Sequence, residues 1–152
     1  MPNWCFNRLT VTGPTEDIRS FREDAENDEE PLSVHNFLPL PEELEMQEAG
    51  DQWYSYMNEE IGTKWDVCEP KRDIDKERRL LYSFDTAWGP PAEWVVLVSR
   101  EYPRLKFKLW FEETGMWFRG ELIIQNENCL LQRDLTEEMT KEDEEQEKGE
   151  GE

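Results

Sequence analysis

RLLYSFDTAWGPPAEWVVLVSREYPRLKFKLWF, residues 79–111, holds the unit on which the fold turns. RLLYSFDTAW is rich in the aromatic and branched residues that favour a strand. DTAWGPP supplies a turn. From about 91 to 102 the period changes: Trp94, Val95, Val98 and Tyr102 recur at helical spacing and form one apolar stripe. Pro91 suits the first helical turn, where a missing N–H costs nothing, and Pro103 stops the helix. LKFKLWF then alternates strictly. Leu105, Phe107, Leu109 and Phe111 share one side, while Lys106, Lys108, Trp110 and Glu112 share the other.

Outward from this unit the same two periods recur. Upstream, WCFNRLTVTG (4–13) alternates as a strand and ends at Gly13-Pro14. A short amphipathic helix is predicted over about 15–27, with Thr15 as cap and Ile18, Phe21 and Ala25 on its apolar face. Prolines 31, 39 and 41 interrupt the next stretch. Helical spacing resumes over 51–62, TKWDVC (63–68) reads as a strand, and EPKRDIDKER as a charged loop. Downstream, ETG joins LKFKLWF to MWFRGELII in a hairpin, and QNENCLLQRDL adds a short final element. With the insert set aside, the order is βαββαβ. That is the split βαβ arrangement of ferredoxin-like α+β sandwiches, here with an insert after the first helix and an extra C-terminal strand. Helices are expected on one sheet face. Residues 1–135 are expected to form this domain, and 136–152, almost without apolar content, an acidic disordered tail.

Charge narrows the partners. The 152-residue chain carries 17 basic and 37 acidic side chains, a net of −20. Such a field disfavours duplex DNA and anionic membranes. The acid is uneven: residues 136–152 hold nine acids and two lysines, and 14–50 twelve acids and two arginines. No apolar run reaches the ~20 residues of a membrane span, and no secretory leader is visible, so a cytoplasmic setting is expected. Cys5, Cys68 and Cys129 are too scattered for a metal site or disulfide framework, and no cofactor is expected.

Taken together, MPNWCFNRLTVTG, FLPLPEEL, IGTKWD, FDTAWGPP and YPRLKFKLWFEETGMWFRG resemble the YubB-type ferredoxin-like domain family of small bacteriophage and plasmid proteins. The resemblance runs from Met1 to about Glu121. It implies a ferredoxin-like α+β sandwich and a bacterial host cell, and it carries no activity with it. Despite the family name, three dispersed cysteines cannot supply an iron–sulfur cluster.

Several residue groups are candidates for function. In DTAWGPP, Asp85 or Thr86 is placed to bond the free N–H groups of the following helix, with Trp88 fixing the turn, a reading that needs no substrate. In TKWD, Lys64 and Asp66 share a face; if 63–68 pairs with 81–88, one of them lies near Asp85, an arrangement that serves either an acid/base pair or an ordinary cross-strand ion pair, the latter favoured. Trp65, Trp88 and Trp117 are candidate walls of a nucleotide pocket. Lys106, Lys108, Trp110, Trp117 and Arg119 interleave cations with indoles, as single-strand and RNA-binding sheets do; the same pattern suits indoles that cover the second sheet face with the insert while the lysine stems reach outward, or a partner or dimer face. His35, the one histidine, lies in the proline-rich insert and is expected to be non-catalytic. No nucleophile motif or phosphate loop is present, and a catalytic role is not expected. The leading expectation is therefore a non-enzymatic accessory protein of a phage or plasmid that binds a host or phage macromolecule, with a protein partner foremost, for example as an acidic inhibitor or nucleic-acid mimic acting on a defence or nucleic-acid-processing protein. The alternative is a module for single-stranded nucleic acid or nucleotides.

Overall fold

A computed structural model describes residues 3–33, 67–87 and 89–150. The helix expected over 51–62, His35, Lys64, Trp65, Asp66 and Trp88 lie outside these residues. Six strands form one antiparallel sheet: β1 (Trp4–Thr12), β2 (Cys68–Lys76), β3 (Arg79–Ala87), β4 (Lys106–Glu113), β5 (Phe118–Gln125) and β6 (Asn128–Asp134). Their order across the sheet is β2-β3-β1-β4-β5-β6. The first four strands, with α1 (Thr15–Ala25) and α2 (Ala92–Glu101), make the split βαβ unit. β5 and β6 extend it beyond β4. A third helix, α3 (Thr136–Glu150), follows β6.

Alternation builds the core. Along β1 the odd positions Cys5, Asn7, Leu9 and Val11 are buried and the even ones face away. The buried side carries Leu80, Tyr82 and Phe84 of β3 and Phe107 and Leu109 of β4. Against it lie Ile18, Phe21 and Ala25 of α1 and Trp94, Val95 and Val98 of α2. Phe21 sits at the centre, edge-on to Tyr82, Tyr102 and Phe107 at 6.0, 5.5 and 5.5 Å. Phe21 and Phe107, both fully buried, each contribute roughly 1.5–3 kcal/mol by leaving water. Gly13 lets the chain turn close over this core: a Cβ there would stand 2.6 Å from Leu105 Cδ2.

Four expectations need correction. EPKRDIDKER is no loop: CEPKRDIDK forms β2, and only Glu77-Arg78 turn. Its charges suit an edge strand, where they deter pairing with other chains, and Pro70 needs no ladder bond there. Two irregularities interrupt its pairing with β3. Second, Thr15 caps nothing: Pro14 takes the N-cap of α1, without a side-chain bond. Third, Pro91 is the N-cap of α2, outside its first turn, and neither Asp85 nor Thr86 caps that helix. Fourth, 136–150 is helical, where disorder was expected. Asp134 Oδ1 accepts from Thr136 N at 2.9 Å, and Met139 is buried. These give a very polar segment a start and an anchor.

Candidate functional site

Among the described residues α1 and α2 cover one sheet face and leave the other without a covering helix save where α3 reaches Arg119, and the even residues of β1 mark the middle of that second face. Trp4 and Phe6 are 42% and 40% exposed, and Arg8 is exposed beside them. The register sets Arg8 between Ser83 and Trp110, and Phe6 between Asp85 and Glu112. Thr10 faces Lys108, and Thr12 lies between Arg79 and Lys106. A depression of about 240 Å³ lies among Arg8, Arg79, Lys108, Trp110 and Glu121.

The charges on this face are only partly neutralised. Glu121, almost fully buried, meets Lys108 at 3.7 Å and Arg133 at 3.2 Å. Glu112 meets Arg119 at 2.9 Å. Asp73 accepts from Ser83 Oγ at 2.6 Å. Among the described residues, no carboxylate pairs with Arg8, Arg79 or Lys106. Among the described residues cations therefore outnumber carboxylates on this face, although the chain as a whole is strongly acidic.

The predicted site residues divide. Lys106, Lys108, Trp110 and Arg119 do share the open face. Trp110 is edge-on to Phe6 at 6.1 Å, and the Arg119 guanidinium stands 5.6 Å from its ring centroid, a cation–π arrangement. Trp117, in the β4–β5 turn, adopts a left-handed backbone (φ 60°) and donates from Nε1 to Thr140 Oγ1 of α3 at 2.9 Å. Arg119 is further held by Glu142 of α3, at 3.0 and 2.8 Å to its two carboxylate oxygens. That carboxylate, helped by Glu112 and opposed by partial burial, pushes the guanidinium above its ordinary range.

Asp85 and Thr86 part company. Thr86 is fully buried on the helix side. Its hydroxyl accepts from Asn7 Nδ2 at 2.8 Å and donates to the Gly89 carbonyl at 2.6 Å. DTAWGPP is thus joined to β1 through Thr86, which has no access to a ligand. Asp85 lies on the open face. Burial, then the Glu69 charge, raises its pKa, and Lys71 offsets part of this.

Trp4, Phe6, Arg8 and Arg79 went unread in the sequence. For the first three the signal was the period of two in WCFNR, a strand whose second face is also aromatic and basic; Arg79 joins that face only through its register with Thr12.

The fold has relatives. Residues 64–150 match the family described as the ferredoxin-like domain in Api92-like protein. The chain belongs to that family. The Api92-like match includes α3, so the acidic helix falls within the span of the family domain. A crystal structure of a protein api92 from Yersinia pseudotuberculosis superposes with a TM-score of 0.58 over 88% of this chain and 98% of that one, at 12% identity. At that identity the likeness shows the ferredoxin-like fold. Among curated proteins none matches the sequence.

Proposed function

We propose that the open sheet face binds single-stranded nucleic acid with little base preference. One observation supports this above the rest: half-exposed aromatic rings and cations that, among the described residues, pair with no carboxylate share the central strands of the face that α1 and α2 do not cover. Bases stack on exposed rings whatever their identity, and cations beside them meet the phosphates. Phe6 and Trp4 are the stacking platforms in this reading, and Arg8, Arg79, Lys106 and Lys108 the phosphate contacts. The net charge of −20 weakens long-range attraction, which salt screens in any case, and leaves short-range contacts in place.

A protein partner engaged through acid finds less support. The most acidic element, α3, directs Glu142 at the chain's own Arg119. The resemblance to YubB-type proteins adds a setting for either reading, an accessory protein of a phage or plasmid in a bacterial cytoplasm.

Titrating the protein with a 15-nucleotide oligothymidylate while following tryptophan fluorescence tests the proposal. Quenching at ~25 mM salt is expected, with log K falling by about 0.7 per log unit of salt for each phosphate engaged. Phe6→Ala is expected to cost about 1–3 kcal/mol of binding. A chain that leaves the fluorescence untouched at low salt would sink the proposal.

A further inference from the structure

We infer that the binding face extends over Trp117 and Arg119, and that α3 covers this extension in the free protein, with Glu142 standing where a phosphate would stand. This rests on the open-face reading. Arg119 projects from β5 onto that face, opposite Glu112 and over Trp110. Its side chain is nevertheless only 11% exposed. What meets it is the two-pronged carboxylate of Glu142, the fork geometry in which a guanidinium also takes a phosphate. Beside it Trp117, 39% exposed, is held at its Nε1 by Thr140.

α3 is built to be displaced. From 136 to 147 its one buried side chain is Met139, and every residue from 141 to 147 is exposed. A helix with a single apolar anchor belongs to the least stable parts of a fold. A single strand entering from the Phe6–Arg8 side reaches Arg119 only by displacing Glu142. Strand and α3 are therefore mutually exclusive at that guanidinium, and the affinity of the free protein is lowered by the share of molecules in which α3 is docked.

Glu142→Gln and Glu145→Gln variants of the full chain separate this from a general charge effect. Both remove one carboxylate from α3, and Glu145 is exposed with no part in the Arg119 contact. Each is titrated with the 15-nucleotide oligothymidylate at ~50 mM salt, and amide exchange over 136–147 is followed with and without it. The expected result is about tenfold tighter binding for Glu142→Gln, little change for Glu145→Gln, and faster exchange in α3 when the parent chain is saturated. Equal affinities for all three chains with α3 exchange unchanged would overturn the covering role and leave the open-face reading standing. No binding by any of them would overturn both.

Discussion

Thr86 decides how β3 hands over to α2. Its hydroxyl is spent on both sides, on the Asn7 amide and the Gly89 carbonyl, and both it and Asn7 are fully buried. Thr86→Val keeps the shape and removes both bonds. A loss of about 1–3 kcal/mol is expected in urea unfolding, because buried polar groups are left without partners. The sequence made the turn legible, since two prolines after a strand announce it. The Asn7 partner, 79 residues away, left no local trace. Asp85, one position earlier in the chain, gives a pH test. Its native pKa is raised, chiefly by burial and then by Glu69. The folded chain thus holds this proton more tightly than the unfolded one, and ionising it costs stability. The cost is absent below the unfolded value of about 3.9, grows as pH rises through the native value, and is complete above it. Asp85→Asn is expected to be the more stable protein at pH 7, its advantage closing below about pH 4. An unchanged gap between pH 7 and pH 3 in denaturant melts would count against this.

At the level of elements, legibility followed periodicity. β1, β3, β4 and both covering helices announce themselves because one face of each is apolar and buried. β2 does not: along CEPKRDIDK only Pro70 is buried, so no alternation betrays the strand. Ion pairs tie it to α1 instead, Arg22 with Asp75 and Arg72 with Glu26. α3 was missed for a related reason. Its helix rests on Met139 and a few polar contacts, which composition cannot reveal. The β5–β6 hairpin offers a check. Asn126 and Glu127 both adopt left-handed backbones, at φ 47° and 68°. Such a two-residue turn suits Asn-Gly. Glu127→Gly is expected to raise stability by about 0.5–1 kcal/mol. This is the relief of a strained glutamate less its exposed pairing with Arg100. A destabilised variant in thermal melts would show that the Arg100 pair outweighs the strain.

For the whole molecule, the sequence announced the acid but not its partition. Carboxylates crowd α1, the segment after it and α3, while among the described residues the sheet face opposite α1 and α2 is basic on balance. The split is invisible in a net charge because it depends on which side of each strand a residue takes. A net of −20 in an 18.2 kDa chain should also strain the folded state by self-repulsion. The melting temperature is expected to be a few degrees higher in 0.5 M than in 0.02 M sodium chloride, as screening relieves that repulsion. A melting temperature that falls with salt would mean that ion pairs outweigh it.

The central place of β1 has a kinetic consequence. Leu9 lies beside Tyr82 on one flank and Leu109 on the other, partners about 70 and 100 positions further along the chain. The middle of the sheet therefore has neither neighbour until most of the polypeptide has been made. Closing such distant pairings is an entropic barrier, so folding should be slow for a domain of this size, and the waiting Trp4–Thr12 ribbon is the piece most in need of a chaperone.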